Sequence, residues 1–294
     1  MTIQPGVNMS PTNLGGESDK KHRLLAVFAH PDDETFLAGP LLAKYAAEGV
    51  LVELLCAAPS GSVARRRQLR EAASVLGIGR IHLLDYEPSH MWPERNEPTN
   101  PLFSEDASPS VQHRARCTLG DDSPYELVAA IGAILQSFQP DVMLVDSQYG
   151  SYGHPDHVYV HRAAVRAFAD RARPGSKLYA LAFPRLLVRL HLLLLAGIRR
   201  GNPRVGPNGK IDLAQVMVNP PKSSARIDVS KFIVKRRLAA QAYAAEIDAA
   251  PLPLKMLERS PLWLQKLFLG RATLTRISPP PDTFERGLFR HVIQ

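Results

Sequence analysis

An α/β fold built on a mostly parallel sheet with helices on both faces is what this sequence predicts, on two observations. Short β-type runs alternate with stretches of helical period from Leu24 onward, and those runs are continuously apolar, as strands buried on both faces are. The order is βαβα, which argues for parallel strands joined by crossover helices.

Taken in order, Met1 to Ser18 is polar, rich in Gly, Pro, Asn and Thr, and without periodic apolar residues, so residues 1–22 are expected to be a disordered tail. Leu24–Ala29 reads as the first strand and Glu34–Glu48 as the first helix, stopped by Gly49. Val52–Ala58 and Ser62–Leu76, stopped by Gly77, repeat the unit, and Arg80–Tyr86 is the third strand. Glu87 to Asp122 is long, proline-bearing and aperiodic, which reads as a functional loop or lid. Pro124–Phe138, Asp141–Asp146, Asp156–Arg173 and Leu178–Phe183 continue the alternation. From Phe183 to Arg226 no simple period holds, with turns at Gly201-Asn202-Pro203 and Pro207-Asn208-Gly209, and Val229 to Ile247 reads as one helix. The expected organisation is a Rossmann-like catalytic core over 23–183 and a basic extension over 184–294 that completes the fold and shapes the pocket.

The chain has 294 residues, enough for a full core, and a net charge of +8. The surplus is local: from Leu186 onward there are 18 Lys+Arg against 7 Asp+Glu. A solvated face accounts for it; attraction to an anionic substrate or membrane surface is the alternative. No zinc finger, RNA-recognition signature or aromatic-basic alternation is present, which argues against a nucleic-acid partner. Two cysteines cannot form a disulfide framework, and Cys56 lies in an apolar run, so a reducing compartment is expected. Lys20-Lys21-His22-Arg23 before Leu24 resembles the start of a signal peptide, but the apolar part ends after about six residues, short of the roughly 7–15 required, so the expected address is cytoplasmic. Leu186 to Ile198 is greasy yet interrupted by Arg189 and His191, and falls short of the roughly 20 residues that cross a bilayer.

Chemistry concentrates in two places. Ala29-His30-Pro31-Asp32-Asp33-Glu34 follows the first strand, and Gly153-His154-Pro155-Asp156-His157 follows the fourth. In a parallel sheet both lie at strand C-terminal ends, where ligands gather. An imidazole and a carboxylate from His30 and Asp33, completed by a distant histidine, make a three-ligand metal set with one open position, the arrangement of catalytic zinc. Asp32 points elsewhere on this reading and could act as a base; alternatively Asp32 and Asp33 cap the next helix, with Glu34 favouring its N-terminus. Of His154 and His157, one binds the metal and the other donates to a developing oxyanion. His161 competes as a ligand by i,i+4 spacing, with packing as its other role, and Asp146 and Asp156 are acceptors for ligand imidazoles or else cap and strand-end residues.

The two motifs resemble those of the PIG-L/LmbE family of zinc-dependent N-acetylglucosaminyl deacetylases. The likeness extends to Asp146 through His157, to Leu76-Gly77 as the end of the second helix, and to Ile227-Asp228-Val229-Ser230 as a late strand. It implies a Rossmann-like α/β fold, a Zn2+ ion on His30, Asp33 and His157, Asp32 as general base, His154 stabilising the tetrahedral intermediate and Tyr152 assisting. It also implies an N-acyl amino sugar or related N-acyl small molecule as substrate. An arginine that contacts substrate in the family falls near Arg66, with Arg65 and Arg67 as alternatives. Three departures stand out: Pro88 where the family has a sugar-gripping aspartate, Gln68 where glutamate is usual, and Tyr243 with Glu246 in place of a His-x-Ser-Gln ending.

Two other readings compete. One is a non-catalytic nucleotide- or sugar-binding domain, against which stands the missing G-x-G-x-x-G after the first strand. The other keeps the amidase and gives it a thiol or lipid conjugate, with peripheral membrane contact through the basic third, including Leu186–Ile198 and Pro261-Leu262-Trp263-Leu264; a buried Trp263 is the expectation that opposes it.

Overall fold

The computed structural model describes residues 21–59, 62–89, 119, 124–182, 204–205, 211–212, 222–250 and 252–289. The strands are β1 (Arg23–Phe28), β2 (Leu51–Cys56), β3 (Arg80–Leu83), β4 (Val142–Val145), β5 (Lys177–Leu181), β6 (Arg204–Val205), β7 (Ile211–Asp212), β8 (Ala225–Asp228) and β9 (Arg271–Ser278). Seven of them form one sheet in the order β3-β2-β1-β4-β5-β9-β8, while β6 and β7 pair separately. The first five are mutually parallel, with Phe28 beside Cys56 and Val27 beside Val145; β9 runs antiparallel to β5, and β8 antiparallel to β9. All five strands expected from their apolar runs are present, with bounds that differ by up to three residues at their ends.

Alternate residues of β1 feed two cores. Leu24, Ala26 and Phe28 join Leu41, Leu42 and Tyr45 of α2 (Gly39–Ala47), Leu69, Ala72 and Leu76 of α3 (Val63–Leu76), and Tyr243. Leu25 and Val27 join Leu127, Ile131 and Leu135 of α4 (Pro124–Phe138) and Val160, Ala164 and Phe168 of α6 (Pro155–Arg171) on the other face. Because both faces of β1 are fully covered, its residues are apolar without alternation. Gly77 ends α3 at φ 83°, a left-handed position that glycine takes without a Cβ penalty.

Chain order turns at β1. From β1 the chain moves one way to β2 and β3, then crosses to β4 and β5 on the other side. The loops leaving β1 and β4 therefore diverge and open a crevice between adjacent strand ends. His30 and Asp146 stand at its two lips.

The expected helix Glu34–Glu48 is divided into α1 (Asp33–Phe36) and α2. Pro40 explains the break: it has no N–H to give to the preceding turn and is suited to the first positions of a helix, so α2 starts afresh around it. The expected helix Val229–Ile247 follows one helical path with two tightened turns, as 3-10 segments Ser230–Phe232 and Gln241–Tyr243 flank α7 (Ile233–Ala240) and lead into α8 (Ala244–Ala249). The helices α9 (Leu252–Arg259) and α10 (Leu262–Leu269) and the strand β9 add three elements to those expected.

Trp263, expected to be buried, is 67% exposed, as is Leu267 at 71%. The cause lies across the helix. Gln265 is fully buried, its amide donating to the carbonyls of Leu257, Glu258 and Ser260 at the C-terminal end of α9, and that inward turn points Trp263 outward. Among the described residues no helix is long and apolar enough to cross a membrane. Residues 1–20 of the expected tail, Leu186–Ile198, Cys117 and most of the expected lid lie outside the described residues. His22, expected in the tail, instead accepts the Leu51 N–H on its carbonyl at 2.8 Å and stacks on Phe289, because the sheet begins there.

One buried ion pair ties α9 to the core. Arg236, 2% exposed, donates from Nη1 to Glu258 Oε2 at 2.8 Å and from Nη2 to Oε1, and lies 5.4 Å from the Phe36 ring centroid. Substituting Glu258→Gln leaves a guanidinium inside without its counter-charge. The expected loss is about 3–5 kcal/mol in chemical denaturation, whereas a paired replacement of both residues by apolar side chains should cost far less.

Candidate metal centre

The end of β1 and the start of α6 build the site from opposite lips of the crevice. After Phe28 the chain turns sharply, and Asp32 takes φ 100°, a conformation rare for a residue with a side chain. Its carbonyl accepts from the N–H groups of Thr35 and Phe36, opening α1, and the Asp33 carboxylate folds back to accept the His30 N–H at 2.9 Å. On the other lip, α5 (Gly150–Gly153) leads directly into α6, with Gly150 at φ 66°; a Cβ there would meet His157 and Val158 at 3.0–3.3 Å, so glycine lets α5 lie against the first turn of α6.

Three imidazoles meet across the crevice. The ring centroids of His30, His154 and His157 are 4.9–5.1 Å apart. Within this group His30 Nδ1, His157 Nε2 and Asp33 Oδ2 face one another at 3.1, 3.5 and 4.0 Å. Each histidine spends its other nitrogen on a carboxylate: His157 Nδ1 bonds Asp146 Oδ2 at 2.7 Å, and His30 Nε2 bonds Asp156 Oδ2 at 2.8 Å. A carboxylate accepts only, so each outward nitrogen carries the proton and each inward nitrogen presents a lone pair. Two lone pairs and a carboxylate oxygen that converge in this way suit a cation. Ligand bonds of roughly 2.0–2.2 Å arranged tetrahedrally would set donor atoms about 3.3 Å apart, close to the spacings found.

Electrostatics add that the crevice stabilises positive charge where the inward nitrogens meet, carried by a proton or by a cation alike. Burial works to lower the pKa of His157, but Asp33 and the hydrogen bond to Asp146 overcome it and push the imidazole up to about 9. The pocket thus favours positive charge. Burial likewise works against charge on Asp156, yet the bonds from His30 and the Ser89 N–H win and hold it at about 2. His154 is different: burial first, then His30 and His157, lower it to about 3. Its Nδ1 accepts the Asp156 N–H at 3.2 Å, so the neutral ring carries its proton on Nε2. In that tautomer Nε2–H takes no part in the Asp156 bond, and His154 stands outside the set made by His30, Asp33 and His157.

Asp32 stands apart from the three inward donors. Its Oδ2 accepts from Arg65 Nη2 at 3.0 Å, its side chain is 27% exposed, and it makes no capping hydrogen bond to α1, which removes the capping alternative for its carboxylate. Burial and the neighbouring Asp33 raise its pKa to about 6 against the pull of Arg65. A carboxylate so tuned accepts and releases a proton near neutrality.

The structure brings His30, Asp32, Asp33, His154 and His157 to one crevice and separates the alternatives that the sequence left open. Asp146 and Asp156 both serve as imidazole acceptors, and His161 bonds the Asp146 carbonyl through Nδ1 at 2.8 Å, so it packs beneath the site. Of the three arginines, Arg65 is the one at Asp32; Arg66 reaches Asp85 and Arg67 reaches Glu71 on the surface. Gln68 and Glu246 explain each other, since Gln68 Nε2 donates to Glu246 Oε2 at 3.3 Å while Arg65 Nη1 donates to Oε1 at 2.7 Å. The carboxylate missing at 68 is supplied from 246. Ser89, whose backbone N–H reaches Asp156 one residue after Pro88, was not foreseen, because a main-chain donor leaves no trace in residue type. The Tyr152 side chain lies outside what the structure describes.

Known proteins share the sequence around both clusters, and solved structures share the fold that carries them. The family described as "PIG-L: GlcNAc-PI de-N-acetylase" matches residues 25–168, which take in both clusters. The 1D-myo-inositol 2-acetamido-2-deoxy-alpha-D-glucopyranoside deacetylase of Thermobifida fusca is 31% identical over 260 residues, covering 78% of this chain and 84% of its own length. The chain belongs to the PIG-L family. The deacetylase of the same description from Gordonia bronchialis is also 31% identical, over 250 residues, with 78% of this chain and 85% of its own covered. These PIG-L relatives are deacetylases of N-acetylglucosamine-containing compounds, so this PIG-L chain stands among hydrolases of amide bonds. Two solved structures share its fold at a TM-score of 0.52: a conserved protein of Thermus thermophilus, 20% identical over 89% of this chain and 96% of that one, and the 4-carboxy-2-hydroxymuconate hydratase of Pseudomonas putida, 14% identical over 88% and 97%. A hydratase on this fold means that the reaction must be argued from the site.

Proposed function

We propose that the chain is a zinc-dependent deacetylase that hydrolyses the acetamido group of an N-acetylglucosaminide, with an N-acetylglucosaminyl inositol as the first substrate to try. The observation that carries this reading is the convergence of His30 Nδ1, Asp33 Oδ2 and His157 Nε2, each backed by a hydrogen bond that leaves an electron pair facing inward. These three residues would hold the ion. Zinc, when bound, supplies Lewis-acid polarisation of a carbonyl and lowers the pKa of water to about 7.

The remaining steps belong to the protein. Asp32 takes the proton of the attacking water and later returns it to the departing amine, a general base and acid contribution of about 10²–10⁴-fold. His154 Nε2–H, neutral and buried, donates to the oxygen that gains charge as the amide carbon becomes tetrahedral. Tyr152 assists at the same oxygen. Arg65, in the first turn of α3, lies between Asp32 and Glu246, and residues 184–294 complete the fold and shape the pocket around the sugar. A cytoplasmic address belongs to this reading, supported by the sparing use of cysteine and by Cys56, buried and free.

The test is acetate release. Zinc-loaded protein should free acetate from 1D-myo-inositol 2-acetamido-2-deoxy-α-D-glucopyranoside; dipicolinate should abolish release and added zinc restore it. A zinc-loaded protein inert toward that compound, toward simple N-acetyl sugars and toward their lipid and thiol conjugates would end the deacetylase reading.

A further inference from the structure

Behind Asp32 lies a buried polar group that the proposed mechanism leaves unused. Glu34 is fully buried, and so are Thr35 and Tyr243. Glu34 Oε2 accepts the backbone N–H of Asp32 at 3.0 Å, while Oε1 accepts from Thr35 Oγ1 at 2.6 Å and from the Tyr243 hydroxyl at 2.9 Å. Tyr243 comes from the far end of the chain, 209 residues away, and its ring packs on Phe36 at 5.9 Å between centroids and under the Arg65 guanidinium at 5.6 Å. Arg65 in turn donates from Nη2 both to Asp32 Oδ2 and to the Pro31 carbonyl at 2.8 Å.

The geometry points to Tyr243 as a positioning residue for Asp32, acting through Glu34. The inference rests on Asp32 being the general base. Asp32 sits at φ 100°, a backbone state that is strained for a residue with a Cβ and persists only where the surroundings over-determine it. Two constraints do so here. Arg65 grips the carboxylate and the preceding carbonyl from the solvent side, and Glu34 grips the amide from within. The Glu34 side chain can hold that amide only in one rotamer, and Tyr243 selects the rotamer by bonding its other oxygen. Without the hydroxyl, Oε1 keeps Thr35, its sequence neighbour on the same short helix, and loses its tie to the distant helical segment. The carboxylate of Asp32 then samples orientations that do not meet the attacking water, and a misplacement of this kind costs up to about 100-fold in rate.

Tyr243→Phe is the decisive variant, since the ring and its packing remain while the hydroxyl goes. It should lower kcat roughly 10- to 100-fold, with KM and bound zinc per chain unchanged, because neither the sugar pocket nor the three metal donors has been touched. Tyr243→Leu, which also removes the ring beneath Arg65, should lower kcat at least as far as Phe and lose thermal stability as well. Full kcat in Tyr243→Phe, or a loss expressed in KM or in metal content, would overturn the positioning role. Should Asp32→Asn itself remain active, the failure would belong to the assignment of the base; should Asp32→Asn be dead and Tyr243→Phe be normal, it would belong to this inference alone.

Discussion

Asp32→Asn should retain a full complement of zinc and lose about 10²–10⁴-fold in turnover. The substitution is chosen for what it leaves alone. Asparagine is among the few residues with a side chain that enter left-handed backbone readily, so the φ of 100° at this position survives. Its amide oxygen can still accept from Arg65, and its N–H can still reach Glu34, so the surrounding hydrogen bonds persist. What disappears is the capacity to accept a proton. The metal donors are oriented by other groups, His30 by Asp156, Asp33 by the His30 N–H and His157 by Asp146, so metal content measured by atomic absorption should match the parent. Acetate release within threefold of the parent would remove Asp32 from the chemistry.

The site was legible where chemistry is written in residue type and spacing. His30, Asp33 and one of His154 and His157 could be read as candidate ligands because imidazole and carboxylate at strand ends have few structural uses in combination, while the choice of His157 came from the family resemblance. The sheet was legible for a related reason: strands covered on both faces must be apolar throughout, and Leu24–Phe28, Leu54–Ala58 and Val142–Val145 are. What escaped was whatever depends on a partner far along the chain. Tyr243 and Glu246 stand out in the sequence only as departures from the family's ending; that Tyr243 meets Glu34 and that Glu246 meets Arg65 and Gln68 is written nowhere in it. β9 escaped because it is only partly covered and carries polar residues inside, Thr273 beside Leu274, so no continuous apolar run marks it. The inversion of α10 escaped because a glutamine was used inside to satisfy carbonyl groups, leaving a tryptophan outside.

The metal site offers a sharper test than ligand removal alone. His157→Ala deletes one of three donors and should weaken zinc binding by more than about 100-fold, above the 10- to 100-fold typical of losing a group that only orients a ligand. Asp146→Asn should fall within that lower range through a different cause. The Asp146 carboxylate accepts from His157 Nδ1, from the Ser147 N–H at 2.6 Å and from the Ser151 hydroxyl. An amide placed there either turns its NH2 toward His157, forcing the imidazole proton onto Nε2 where the ion's lone pair is needed, or turns it toward the Ser147 N–H and sets donor against donor. Either way the inward donor set loses an electron pair or gains strain, and the loss shows as affinity before it shows as fold. Competition against a chelator such as dipicolinate measures both variants. A second set of donors, His30, His154 and Asp156, also lies within reach of a single ion, using the opposite nitrogen of His30. If His157→Ala kept the parent's affinity while His154→Ala lost it, the ion would sit there instead, His154 would be a ligand and not an oxyanion donor, and the assignment of roles across the crevice would reverse.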